Sequence, residues 1–431
     1  MLRVSVPHQR YEWGVLGADS PSVATLAALN TGAPVEADAP YAELWMGTHA
    51  GGPATTKEGT TLKEFLGRNA KLMGEALTKR FPECANGDLP FLFKVLSIRK
   101  ALSIQAHPDK KLAEKLHAEK PDMYKDPNHK PEMTVALTKF RALCQFIPKE
   151  EVASVFHEIT ELKTVVGLQA YESFYEGAVD PDRFDEQFQT MLKTVLLTKD
   201  LTLKEVVKEA LKRIGGIPED KRTVKQALFL ELNEQYPNDV GVLTALFLNV
   251  VTLEPGEAIV LAAGEPHAYL EGECVECMAT SDNVVRAGLT PKPKDVSTLI
   301  DMLTYNFAKP NIMRPAMDDT GMMRVYNPGK AFDEFEVREV IVPVGGAYEL
   351  TPLETAAILL VFGGEASATV GAPEDMELVP DDNEKGQYAN TNLDVTQGEV
   401  YFIAAKVGAV FEQSGSGPFR AFIASVNSTV Y

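Results

Sequence analysis

The chain has 431 residues, enough for two or three domains, and its 45% hydrophobic and 24% charged residues exclude general disorder and a coiled-coil rod. A formal net charge of −19 excludes a nucleic-acid partner, because a phosphate backbone demands a basic face. An anionic small-molecule substrate would need a locally positive site set against that global field, so clustered lysines and arginines carry information.

The opening residues, MLRVSVPHQRYEWG, contain no continuous apolar stretch of the kind a secretory signal needs. The longest apolar run, Ala356 to Phe362, is far shorter than the roughly 18 residues of a membrane span. Four cysteines in a chain of this length do not make a disulfide framework. A reducing, cytoplasmic setting with no membrane partner is the expectation.

Three textures follow one another. Met1 to Pro148 is mixed, with turn residues between short apolar runs. From Lys149 to about Asn233 the pattern is helical: Val152, Val155, Phe156, Ile159 and Leu162 recur at helical spacing, as do Phe184, Phe188, Met191, Leu192 and Val195. Asp180-Pro181 marks the start of that second helix, with Asp as N-cap and Pro in the first turn. From about Val240 the runs LFLNVVTL and AIVLAA read as strands separated by the turn Glu254-Pro-Gly-Glu257. Ala356–Phe362, Val400–Ala404 and Phe419–Val426 are further strands, and Glu374 to Lys385 is expected to be an acidic surface loop. Short strands with regular turn signals predict a β-sandwich or barrel carrying a helical insertion.

Seven histidines can be weighed one by one. His8, His49, His117 and His157 are expected to be surface or structural. His107 lies in Leu102-Ser-Ile-Gln-Ala-His-Pro-Asp109, two residues after Gln105. Positions i and i+2 of a strand share a face, so an amide oxygen and an imidazole nitrogen can aim at one point. His129-Lys-Pro-Glu-Met133 adds the carboxylate of Glu132, and Glu265-Pro-His-Ala-Tyr269 adds His267. Two imidazoles, a carboxylate and an amide oxygen make a first shell for Zn²⁺ with a position left for water or substrate, the mark of a catalytic site. The bland alternative makes Gln105 and His107 polar turn residues before Pro108 and His267 a strand-end histidine.

Cys274-Val-Glu-Cys277 is a second metal candidate, but Cys84 and Cys144 stand apart, and on a strand the two sulfurs point to opposite faces. Buried thiols are the expectation there. Glu276 shares the face of Cys274 and Met278 and is expected to look inward. Basic residues gather near the same segments: Lys94, Arg99, Lys100, Lys110 and Lys130, then Arg286 and Lys292. Lys94 interrupts the apolar run PFLFKVLSI, where an unpaired charge is costly.

The blocks Tyr41-Ala-Glu-Leu-Trp-Met-Gly-Thr-His49, Leu89-Pro-Phe-Leu-Phe-Lys-Val-Leu-Ser97, Ala101-Leu-Ser-Ile-Gln-Ala-His-Pro-Asp109, His129-Lys-Pro-Glu-Met133, Pro266-His-Ala-Tyr269 and Glu276-Cys-Met-Ala-Thr-Ser-Asp-Asn-Val-Val-Arg-Ala-Gly-Leu-Thr-Pro-Lys292 closely resemble the type I phosphomannose isomerase family. They cover about a third of the chain and lie almost wholly outside the helical insertion. The resemblance implies one zinc ion on Gln105, His107, Glu132 and His267. It implies substrate or proton-transfer roles for Lys94, Ser103, Lys130, Tyr269, Glu276, Asp282, Arg286 and Lys292. One departure is Gly264, where many members carry Asn before Glu-Pro-His.

The implied fold is mainly β: a cupin-type jelly roll holding the metal (1–148 plus 240–327), an α-helical domain (149–239) and a C-terminal metal-free jelly roll (328–431). The implied reaction interconverts mannose 6-phosphate and fructose 6-phosphate through a cis-enediol, in a monomer. Glu276 is the expected carbon base, Arg286 and Lys130 the groups serving the oxygens, and Lys94, Ser103 and Lys292 the phosphate site. Two other classes fit fewer residues. A cupin oxygenase with Fe²⁺ on His107, Glu132 and His267 leaves Gln105 and the cations unused. A non-catalytic phosphosugar-binding cupin gives no reason for Lys130, Glu276 and Arg286 together.

Overall fold

The structure is a computed structural model that describes residues 1–371 and 392–431; the expected acidic loop at Glu374 to Lys385 lies outside the described residues. Its centre is the 13-residue strand His267–Ala279, which is free of proline and is held extended by strand partners along its length rather than by the β propensity of its own residues. The first part of this strand pairs antiparallel with Phe140–Phe146, and the last part lies between Phe91–Ile98 and Glu132–Ala136. The pairing slips by one residue between Tyr269 and Glu271. Such a bulge exchanges the faces of everything beyond it. Tyr269 before the slip and Glu276 and Met278 after it therefore line the same cavity.

The same alternation separates the two central cysteines. Cys274 packs with Phe140, Leu261 and Tyr269, while Cys277 joins the core around Phe93 and Val275 on the other side. All four cysteines are free and buried, which for Cys274 and Cys277 is the expectation from the sequence.

The helical segment forms as its periodicity predicts. Helices run at Val152–Glu158, Leu162–Val166, Leu168–Tyr175, Phe184–Leu196, Asp200–Gly215 and Val224–Gln235. The Asp180 carboxylate accepts from the N–H of Asp182, with Pro181 in the first turn of the short 3-10 helix that leads into Phe184–Leu196. Phe188 is the hub, with ring centroids 5.0 Å from Phe146, 5.7 Å from Phe247 and 4.9 Å from Phe307. Burying a side chain of that size stabilises by about 1.5–3 kcal/mol, so the insertion is pinned to the β structure by its own core. Gly241–Thr244 and Ala245–Phe247 continue as helical turns, and the strand expected from Leu246 begins at Leu248.

Beyond the insertion, a seven-stranded antiparallel sheet and a four-stranded one share a single core, giving the second jelly roll. Ala357–Gly363, Val400–Ile403 and Phe419–Ser425 are its inner strands. The sheet also recruits segments expected in the first jelly roll. Leu2–Val4 pairs with Val400–Ile403, and Ala316–Met317 and Met323–Tyr326 extend the other edge. Among the described residues, no helix is long and apolar enough to cross a membrane.

Candidate metal centre and active site

Three strand ends bring the candidate ligands together. Glu132 opens Glu132–Ala136 and stands opposite Met278. His267 opens the central strand opposite Gln105, and His107 directly follows Ile104–Ala106. One ligand atom from each of His107, Glu132 and His267 lies within 4.8 Å of the others, and all three side chains are buried. Gly264, in the turn before His267, adopts φ +75° and donates its N–H to the His107 carbonyl. Asn is among the few other residues that tolerate that backbone region, but here a Cβ would stand 2.7 Å from the Met302 carbonyl oxygen, so glycine suits the close approach this loop makes.

The hydrogen bonds fix the tautomers. His107 donates Nδ1–H to the Asn283 carbonyl at 2.7 Å, and His267 donates Nδ1–H to the Glu265 carbonyl at 2.9 Å. Each Nε2 is left as a bare lone pair, buried without a hydrogen-bond partner. These lone pairs stand 3.3 and 3.5 Å from the two oxygens of Glu132. Acceptors facing acceptors in a buried site call for a cation, so the residues fit a metal held by two imidazoles and a carboxylate.

The protonation states agree. Burial lowers the pKa of both histidines, that of His267 to about 4, so both are neutral, as metal binding would require, at neutral pH. Burial alone would push Glu132 upward, but the Lys130 ammonium at 3.0 Å prevails and holds it well below the usual carboxylate range. Gln105 lines the adjoining cavity, its Oε1 accepting from Ser103 Oγ at 3.2 Å.

A line of buried polar groups runs on from this centre. Tyr269 Oη lies 3.2 Å from Glu132, 3.0 Å from Glu276 and 2.6 Å from Thr134 Oγ1. Burial raises the pKa of Glu276, and Lys94 opposes the rise. The Lys94 ammonium sits 3.2 Å from both Glu276 and Glu43 and 5.2 Å from the Trp45 ring centroid. Trp45 in turn donates Nε1–H to Glu43 at 2.5 Å. The charge that interrupts an apolar strand is thus paired twice, and its ammonium is already engaged by carboxylates.

The cavity beside the candidate ligands measures about 780 Å³ and is lined by Ser103, Lys130, Tyr269, Asp282, Arg286 and Lys292, among others. Arg286 pairs with Gln105 across neighbouring strands and is half-buried. Among the described residues, neither Arg286 nor Lys292 has a carboxylate within ion-pair distance.

Several lining residues lack a signal in the sequence. His49, expected to be structural, is buried against Trp45 and accepts the Gly51 N–H at Nδ1 (3.0 Å), leaving Nε2–H to face Asp282 at 3.3 Å. That contact holds the Asp282 pKa below its usual value. Gln235, Tyr236 and Asp239 come from the end of the helical insertion. His8, His117 and His157 do have structural partners: His8 stacks on Tyr41, and the other two bond to the carbonyls of Tyr124 and Tyr175.

A family profile described as phosphomannose isomerase type I, catalytic domain, matches residues 1–149, and one for the helical insertion domain matches 160–248. The chain is 43% identical over 396 residues to mannose-6-phosphate isomerase 1 of Arabidopsis thaliana, covering 89% of each protein. It is 40% identical over 412 residues to the Mus musculus mannose-6-phosphate isomerase, covering 92% of each. A solved mannose 6-phosphate isomerase bound with zinc and yttrium superposes with a TM-score of 0.77 at 28% identity, over 99% of both chains. The apo form from Salmonella typhimurium gives the same TM-score, identity and coverage. With its fold, its buried ligand cluster and these likenesses in agreement, the chain belongs to the type I phosphomannose isomerase family.

Proposed function

We propose that this protein is a zinc-dependent mannose-6-phosphate isomerase, interconverting mannose 6-phosphate and fructose 6-phosphate. The observation that carries this is the convergence of two bare imidazole lone pairs and a carboxylate beside a cavity that offers Arg286 and Lys292 without carboxylate partners. We assign the metal to His107, Glu132 and His267 with Gln105 as fourth ligand. Two nitrogens, a carboxylate oxygen and an amide oxygen with a position to spare suit catalytic zinc. The named likeness to a zinc-bound mannose 6-phosphate isomerase supports the same choice. The twin jelly rolls and helical insertion are proposed to divide at 148, 239 and 327, apart from the strands that cross between sheets. A single chain in the cytoplasm is taken as the working unit, in keeping with its four free thiols.

The reaction moves one proton between C2 and C1 and another between the two oxygens, through a cis-enediol. Bound zinc would supply a Lewis acid for the substrate oxygens. Glu276 is assigned to take the carbon proton from C2 and return it to C1. Burial makes its carboxylate a stronger base, and Lys94 keeps it ionised. Arg286 and Lys130 serve the oxygens, donating hydrogen bonds to charge that develops during enolisation. Tyr269 fixes the spacing between Glu132 and Glu276. Asp282, held by His49, faces the sugar. Ser103 and Lys292 hold the phosphate, whose binding positions the reacting carbons. Lys94 faces the same cavity, and its two carboxylate partners favour a role in holding Glu276 charged.

The test is a coupled assay for fructose 6-phosphate formation from mannose 6-phosphate, run with chelator and after zinc add-back. Turnover that disappears and returns supports the assignment. Folded, zinc-loaded protein without turnover refutes it.

A further inference from the structure

The helical insertion returns to the β structure at Gln235–Gly241, and there it grips the chain on two sides of the cavity. Gln235 Oε1 accepts the Ala101 N–H at 2.7 Å and Tyr236 Oη donates to the Ala101 carbonyl at 2.6 Å. Both backbone groups of a residue two positions before Ser103 are thereby fixed.

On the other side stands Asp239, whose side chain is only 16% exposed. Its Oδ1 accepts the N–H of Leu289 at 2.6 Å and that of Gly241 at 2.7 Å. Its Oδ2 lies 3.5 Å from the Thr290 N–H and 4.0 Å from Lys294 Nζ. Leu289 is held at φ +55°, a left-handed backbone that a leucine rarely adopts. Here the two segments touch backbone to backbone. A Cβ on Gly288 would stand 2.3 Å from Gly241 Cα, and one on Gly241 would stand 2.4 Å from Leu289 N. Thr290 Oγ1 then accepts the Lys292 N–H at 3.1 Å, passing the constraint along the loop.

We propose that Asp239 is a positioning residue for the anion site. By clamping the Leu289 and Thr290 amides onto the exit of the helical insertion, it holds Arg286 and Lys292 at the separation from Ser103 that a sugar phosphate spans. This rests on the assignment of Lys292 to the phosphate, and it makes the insertion a working wall of the site. A strained, solvent-bordering turn without this anchor would sample other backbone conformations, and the phosphate would have to order it on binding.

The experiment compares steady-state kinetics with mannose 6-phosphate in zinc-loaded Asp239→Ala, Asp239→Asn, Lys292→Ala and the double variant Asp239→Ala/Lys292→Ala. Asp239→Ala is expected to raise KM about 10-fold or more while kcat changes by less than about 3-fold. Asp239→Asn keeps an oxygen acceptor for both amides and should recover most of that loss. If Asp239 acts through Lys292, the double variant should be little worse than Lys292→Ala alone. Should Asp239→Ala not fold, as judged by circular dichroism, Thr290→Val removes the next bond in the same chain and should raise KM in the same manner.

An unchanged KM in Asp239→Ala beside a raised KM in Lys292→Ala overturns the positioning role and leaves the phosphate assignment standing. Full additivity in the double variant, or a fall in kcat alone, also overturns it. An unchanged KM in Lys292→Ala removes the phosphate assignment itself, and this inference with it.

Discussion

Lys94→Met is the perturbation whose consequences can be worked furthest. Lys94 is 8% exposed, and its ammonium is 3.2 Å from Glu43 and from Glu276, themselves 10% and 4% exposed. At an effective dielectric of about 20, each contact is worth about 5 kcal/mol of attraction. Methionine relieves the desolvation of the ammonium, so the net loss should fall near the about 3–5 kcal/mol typical of a broken buried pair. The two carboxylates left behind can escape part of that penalty by taking up a proton. Glu276, whose pKa burial already raises, should then climb further. A base works only when ionised, so activity falls as pH drops through its pKa. The acid limb of kcat/KM must therefore move to higher pH, by about one unit or more, given about 1.4 kcal/mol per unit. The assay is a pH–rate profile from about pH 5 to about pH 9 with a thermal melt of the zinc-loaded protein. An acid limb within about 0.3 unit of the parent and an unchanged melt would show that Lys94 does not hold Glu276 charged.

Glu132→Ala and His267→Ala should lose bound metal and activity together, which metal analysis beside the coupled assay will show; retained metal at full stoichiometry would break the ligand assignment. Glu276→Gln should keep its metal and lose about 10²–10⁴-fold in turnover, and near-normal turnover would remove it as the carbon base. The metal-free protein should become less stable as pH falls from 6.5 towards about 4, because His267 takes up a proton more readily when unfolded. The His267 contribution is present above pH 6.5 and amounts to about 3 kcal/mol, so a flat melting midpoint between pH 7 and pH 5 would contradict the buried neutral state. Gly288→Ala should lower the melting temperature and weaken substrate binding, since its Cβ meets Gly241 backbone at 2.3 Å; wild-type behaviour in both assays would show that the junction yields.

The His107, Glu132 and His267 cluster was legible as a candidate metal site because each residue sits in a short motif whose local geometry aims it. Gln105 lies in a short strand with His107 two residues on, and Glu132 and His267 each open a strand. The helical character of the insertion was legible from period, and Phe184–Leu196 forms as that period indicates, whereas the run from Val152 to Leu162 breaks into two helices at Ile159. What escaped depends on pairings distant in sequence. Nothing local marks His49 as facing Asp282, or Asp239 as reaching a loop 50 residues onward. The bulge after Tyr269 is likewise invisible in strict alternation, which would place Tyr269 and Glu276 on opposite faces. Lys94 lay between the two cases: its position demanded a partner, but only the folded sheets identify Glu43 and Glu276.

The pairing of Leu2–Val4 with Val400–Ile403 bears on how the protein is made. During synthesis the first strand leaves the ribosome long before its partner exists, and roughly four hundred residues must follow before the edge at Val400–Ile403 can be covered. The metal-site sheet draws its last paired strand, Val285–Gly288, well before that point. The first jelly roll can therefore close while the second is still nascent, with the opening residues waiting as a loose end that is stitched in last. A fusion or truncation that hinders Leu2–Val4 would leave an unpaired strand edge, a template for association between chains, even if the distant catalytic chemistry were intact.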